Sequence, residues 1–117
     1  MRVALLAFTS LAVLACSSST SNNPPPSSDV AIVSGAAGKG ASAYDPSPFT
    51  ISLATQTTVK WGNDDGTTHT VTADGGGFSS GNIGSGSSFT HTFAAAGTYT
   101  YHCAIHPTMT GTIIVNP

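Results

Sequence analysis

The chain has 117 residues, room for one domain behind a leader, and only 7% of them are charged, with three Lys or Arg against five Asp or Glu and a formal net charge of −2. No basic stripe is available to neutralise phosphates, so a nucleic-acid partner is disfavoured, and the scattered acidic residues read as solvated surface. Cysteine is scarce: Cys16 and Cys103 are the only two.

In chain order, Met1-Arg2-Val3 places a positive end ahead of the apolar run Ala4 to Ala15. That run has signal-peptide length and is too short to stay in a bilayer as a spanning helix. Residues 1–15 therefore read as an export signal. Val13-Leu14-Ala15-Cys16 resembles the lipobox of bacterial lipoproteins, and the resemblance implies that Cys16 is diacylated on sulfur and becomes the new N-terminus. From Ser17 to Ser28 the chain is serine, threonine, asparagine and proline, with no apolar anchor for a core, so residues 16–28 read as an extended, solvated linker. Several acyl chains at one end hold a protein stably at a membrane where one would be marginal. The expected localisation is exported and lipid-anchored, in the periplasm or at a cell surface, with membrane contact only through the anchor.

The domain is expected over residues 29–117. No helical period occurs there, and alternation with period two recurs: Val30 and Ile32; Phe49, Ile51 and Leu53; Val59 and Trp61; His69, Val71 and Ala73; Phe89, His91 and Phe93; Tyr99, Tyr101 and Cys103. Apolar and aromatic residues at this spacing indicate half-buried strands. Gly111 to Val115 closes the chain as a more uniformly apolar strand. Glycine-rich turns separate the runs, and the Gly/Ser segment from Gly75 to Ser88 reads as a loop. About seven short strands in about ninety residues are the profile of an all-β, Greek-key two-sheet β-sandwich. Such a small core gains stability from any metal that binds only the folded state.

With Cys16 acylated, Cys103 has no disulfide partner, and a lone thiol in an oxidising compartment must be buried or held. It opens the stretch Cys103-Ala-Ile-His106-Pro-Thr-Met109. Strand parity turns His102 away from Cys103 toward solvent, and puts His91 between Phe89 and Phe93 as a partly buried, hydrogen-bonded side chain. Pro107 ends the strand and turns the chain, so Cys103, His106 and Met109 can point to one end of the sandwich. His69, after a turn-rich segment, can reach the same end from another strand. One thiolate, two imidazoles and a thioether suit zinc poorly, because zinc sites rarely use a thioether, and the haem-attachment pattern is absent. A His2Cys set with a weak axial Met is the blue-copper arrangement, so one copper ion per chain is expected.

At these residues the sequence resembles the cupredoxins, and among them amicyanin and plastocyanin-like proteins. The resemblance is densest in Val59-Lys-Trp-Gly-Asn63, His69-Thr-Val-Thr and the run from Phe89 to Val115, and the Cys-x-x-His-x-x-Met spacing is that of a short, amicyanin-like ligand loop. It implies that His69, Cys103 and His106 are equatorial ligands and Met109 the axial one. Asn63 matches a Trp-x-Asn element. Thr70 stands where many relatives carry an asparagine or serine that ties the two ligand-bearing loops together, and Ile105 replaces a proline, leaving one more backbone N–H near the sulfur. The implied function is one-electron transfer by a type 1 copper protein that is not an enzyme, cycling Cu(II)/Cu(I) with a redox protein partner, most simply as a monomer. A periplasmic copper-binding or copper-delivery protein is the alternative that uses the same ligands.

Overall fold

A computed structural model describes residues 28–117. The expected export signal, Cys16 and the linker up to residue 27 lie outside the described residues. Two four-stranded sheets face each other, as the alternation requires. The first contains β1 (Val30–Ile32), β2 (Tyr44–Asp45), β4 (Thr58–Asn63) and β6 (Ser88–Thr92), in the order β2-β1-β4-β6. The second contains β3 (Phe49–Ser52), β5 (Thr72–Ala73), β7 (Gly97–His102) and β8 (Thr110–Asn116), in the order β3-β8-β7-β5. Among the described residues no helix is long and apolar enough to cross a membrane.

Parity works as expected. In β4 the side chains of Val59, Trp61 and Asn63 are buried, and in β8 Gly111, Ile113 and Val115 are buried while the residues between them are not. β4 lies parallel to β1, with Val30 beside Trp61, and antiparallel to β6, with Trp61 beside Phe89. Trp61 is the largest fully buried side chain. Its ring is 5.7 Å from those of Phe89 and Tyr101 and 6.0 Å from that of Phe78, and its indole N–H donates to the Tyr101 hydroxyl at 3.1 Å.

Three departures from the sequence expectations matter for the site. The run His69-Thr-Val-Thr-Ala forms a strand only at Thr72–Ala73; His69 is held instead by a two-way backbone pairing with Ile83. The Gly75 to Ser88 segment is more than a loop, since it returns alongside residues 69–73 and buries Phe78 and Ile83. Two apolar anchors among glycines and serines are too sparse to register as a period, yet Phe78 packs against Trp61, His91 and Phe93. The short edge strand β2, also unexpected, supplies the fully buried Tyr44.

Gly111 illustrates how tightly the second sheet is packed. It pairs with Tyr101 across β7 and β8, and a Cβ placed on it would sit 2.4 Å from the Tyr101 ring. Gly111→Ala is therefore expected to cost about 1–3 kcal/mol through overpacking, read as a lowered denaturant midpoint with an unchanged slope. A midpoint equal to that of the unsubstituted chain would show that the ring moves aside freely.

Candidate metal centre

β7 ends at His102, and the turn that follows is closed by two backbone bonds: the Cys103 N–H donates to the Met109 carbonyl at 3.1 Å, and the Met109 N–H to the His106 carbonyl at 2.9 Å. Pro107 keeps this stretch out of the sheet. Cys103 and Met109 are completely buried, whereas His106 is partly exposed. His69, also completely buried, comes from the segment between β4 and β5. Its Nδ1 is 3.9 Å from the Cys103 sulfur, and the His106 Nδ1 is 4.0 Å from the same atom. The three donor atoms lie within 4.8 Å of one another, and they form the one such cluster of histidine, cysteine or carboxylate among the described residues.

These separations can be tested against a bound ion. With bonds of about 2.3 Å to a thiolate and about 2.0 Å to an imidazole, near-trigonal coordination puts sulfur and nitrogen about 3.7 Å apart. The observed 3.9 and 4.0 Å match that spacing. The donors are arranged around a point between them.

The sulfur is prepared for a soft cation. Burial pushes the Cys103 thiol up, but the backbone N–H groups of Thr70 and His106, the His69 ring and the Ile105 N–H together outweigh it, leaving it lowered to about 6. At neutral pH the side chain is thus mainly thiolate, the form that binds metal. The additional N–H made available by having isoleucine rather than proline at position 105 contributes to this balance.

Thr70 links the segment that carries His69 to the turn that carries Cys103. Its N–H donates to the Cys103 sulfur at 3.3 Å, and its hydroxyl oxygen accepts from the Ala104 N–H at 2.7 Å. The Thr70 carbonyl in turn accepts from the Tyr44 hydroxyl at 2.6 Å, a brace that β2 supplies. Burial, with the charges of Cys103 and Tyr101, pushes the Tyr44 phenol well above its usual range, so it remains a donor. Asn63 holds the other side. Its side-chain amide donates to the carbonyls of Thr67 and Ile83, at 2.8 and 2.9 Å, and its Oδ1 accepts from the Asp65 N–H at 2.9 Å.

Asp65 was not singled out by the sequence reasoning. Its Oδ2 is 2.7 Å from the His69 Nε2 and accepts from the Thr67 hydroxyl at 3.1 Å. The His69 ring heads the influences that hold this carboxyl well below the usual carboxylate range, followed by the N–H of Gly35, with the Gly66 N–H and the Thr67 hydroxyl adding to it against the opposing effect of burial. The available signal was an aspartate four residues before a candidate ligand in Asn-Asp-Asp-Gly-Thr-Thr-His.

The other two histidines stand apart. His102 faces outward as parity requires and pairs with Asp74 at the surface. His91 is partly buried against Phe78 and Phe93, at ring separations of 4.6 and 4.8 Å, and its burial lowers its pKa.

Comparison with known proteins agrees with this geometry. A family model described as a cupredoxin-like domain matches residues 5–115. A purple cupredoxin from Nitrosopumilus maritimus is 31% identical, with a TM-score of 0.66 over 74% of this chain and 97% of that one. A methionine-to-alanine variant of amicyanin with Cu(I) is 28% identical, with a TM-score of 0.56 over 62% of this chain and 72% of that one. A copper-containing nitrite reductase from Thermus scotoductus is also 28% identical, with a TM-score of 0.62, but the match covers 81% of this chain and only 23% of the larger protein. No curated protein sequence matches. The family match covers nearly the whole chain, and a buried thiol flanked by two imidazoles at metal-binding distance, with a thioether in the same turn, is a donor set that suits copper; the chain belongs to the cupredoxin family and its cofactor is copper.

Proposed function

We propose that this chain is a type 1 copper electron-transfer protein, exported and tethered to a membrane surface through a lipidated Cys16, with His69, Cys103, His106 and Met109 as its ligands. The observation that carries the reading is the buried Cys103 sulfur held between the Nδ1 atoms of His69 and His106 at 3.9 and 4.0 Å. Copper, when bound, supplies a one-electron Cu(II)/Cu(I) couple, so each turnover takes one electron from a reduced partner and passes it to an oxidised one. Cys103 supplies the thiolate, and the bonds from Thr70 and the turn limit ligand movement between the two states. His69 is sealed inside, while His106 reaches the surface beside Ile105, the exposed large apolar side chain of the domain. A small apolar contact around that imidazole suits a short-lived encounter with a redox protein partner. Four protein donors leave no position for a substrate, which argues against an enzyme, and the chain is proposed to act as a monomer.

The test is addition of Cu(II) to the purified, metal-free full chain in detergent. An intense visible thiolate-to-copper charge-transfer band and reversible one-electron cycling with copper retained are expected. Absence of the band sinks the copper-site assignment. Ready loss of Cu(I) to an acceptor protein, without stable cycling, would favour copper delivery instead. Membrane fractionation tests the tether: Cys16→Ser is expected to release the chain from the membrane fraction, and retention there overturns lipid anchoring at this cysteine.

A further inference from the structure

The segment between β4 and the first ligand does more than carry the chain. Asp65 has a carboxylate only 11% exposed, and both oxygens are engaged. Its Oδ1 accepts from the backbone N–H groups of Gly35 and Gly66, at 3.0 and 2.8 Å. Its Oδ2 accepts from the Thr67 hydroxyl at 3.1 Å and lies 2.7 Å from the His69 Nε2. Four bonds, one from the segment between β1 and β2 and three from residues 66–69, fix the orientation of the carboxylate. Its partners other than His69 are neutral, and among the described residues no lysine forms an ion pair with it. The charge is therefore not cancelled by a cation, and it stands directly against the imidazole.

His69 has only two ring nitrogens, and they divide the work. The Asp65 carboxylate can only accept, so at 2.7 Å the Nε2 carries a proton and donates it, while Nδ1 faces the Cys103 sulfur. A carboxylate accepting the N–H of a metal-bound imidazole fixes its tautomer and orientation, and makes the opposite nitrogen a stronger donor. A stronger donor backed by negative charge favours the more highly charged oxidation state of the metal.

We propose that Asp65 is a positioning residue that sets the redox poise of the copper site: through the Asp65–His69 contact it holds Nδ1 toward Cys103 and biases the site toward Cu(II), lowering its reduction potential. This rests on the copper reading of the ligand set. It adds a role for a residue outside that set, and it ties the poise to the segment between β1 and β2 through the Gly35 N–H.

Asp65→Asn tests the inference, with Asp64→Asn as its control. Asp64 is the exposed neighbour, so the control makes the same change in net charge without touching His69. In the full chain purified in detergent, Asp65→Asn is expected to lower the ratio of Cu(II) to Cu(I) affinity at least tenfold, raising the potential by about 59 mV or more. Asp64→Asn should change the ratio less than threefold. In the metal-free chain, nitrogen-15 NMR of the imidazole should find His69 as the Nε2–H tautomer, with a strongly downfield proton that Asp65→Asn moves upfield or lets exchange. A purely structural role would lower the unfolding midpoint and leave the potential alone.

Thr67→Val reads the same contact from the other side. The Thr67 hydroxyl donates to the Asp65 Oδ2 and its oxygen also lies 3.1 Å from the His69 Nε2, so its removal takes away both a competing donor to the carboxylate and a competing acceptor for the imidazole N–H; the Asp65–His69 bond strengthens and the potential should fall, by a ratio change of at least twofold or about 18 mV. This variant also serves if Asp65→Asn fails to fold. A copper-loaded Asp65→Asn chain with the potential of the Asp64→Asn control overturns the inference alone, as does a Thr67→Val chain whose potential is unchanged or raised. A wild-type chain that gives no charge-transfer band overturns the copper reading and this inference with it.

Discussion

Replacing Cys103 by serine will abolish the intense visible band of the copper-loaded chain and its reversible one-electron couple, while the fold persists. The reason is local. Cys103 is fully buried, and the Thr70 N–H donates to its sulfur, so an alanine would leave that N–H without an acceptor. Serine keeps an acceptor in nearly the same place, so the apoprotein should lose little stability, on the order of 1 kcal/mol. What disappears is a soft, polarisable donor whose thiol is lowered to about 6 and therefore offers thiolate at neutral pH. A serine hydroxyl stays protonated there and binds Cu(I) poorly. Visible spectroscopy and voltammetry check this directly; a serine variant with an undiminished band would mean that the colour arises from some other donor. Circular dichroism of the metal-free variant separates loss of the site from loss of the fold.

Trp61→Ala is the substitution expected to do most damage to the fold. The side chain is completely buried at the centre of an aromatic cluster, touching Phe78, Phe89 and Tyr101, and it draws on both sheets and on the returning segment. Removing so large a core side chain costs about 3–5 kcal/mol, because transfer free energy and a residual cavity add. Against a typical total of about 5–15 kcal/mol, that is a large fraction for so small a domain. A fall in Tm of more than about 12 °C should follow. Trp61→Phe separates the two contributions. It keeps much of the buried area, losing part of the ring volume together with the N–H donated to the Tyr101 hydroxyl, and that bond contributes about 1 kcal/mol of the cost. A double-mutant cycle with Tyr101→Phe should recover a coupling of at least about 0.5 kcal/mol. A Trp61→Ala chain that melts within a few degrees of the unsubstituted protein would mean that the sheets collapse to fill the space.

Much of the site is readable from residue type and spacing. Period-two alternation is a direct consequence of strand geometry, so it placed His102 at the surface with Asp74 and His91 partly buried among phenylalanines, although among the described residues the His91 ring has aromatic neighbours in place of the expected hydrogen bond. Cys103, His106 and Met109 are local to one proline-bounded turn, and local constraints are carried by neighbouring residues. Thr70 follows His69 directly, so it too could be placed by position.

What escaped is non-local or sparse. Tyr44 braces Thr70 across 26 positions, and nothing in Ser-Ala-Tyr-Asp marks an edge strand. Phe78 and Ile83 sit in a stretch whose glycines and serines drown the apolar signal. Asp65 was visible as a letter but indistinguishable from Asp64 beside it. One is solvated; the other accepts from Gly35, Gly66, Thr67 and His69.

The sequence by itself determined the all-β class, the parity of the longer strands and the chemistry of the donor set, because those follow from side-chain identity and a fixed two-residue repeat. Tertiary structure decided which atoms meet. His69 comes within 3.9 Å of a sulfur 34 positions away only because pairing with Ile83 and the bonds from Thr70 hold two separate segments together. It also decided that Asp65, and not Asp64, stands behind that imidazole, since burial and hydrogen bonding depend on what the rest of the chain brings alongside.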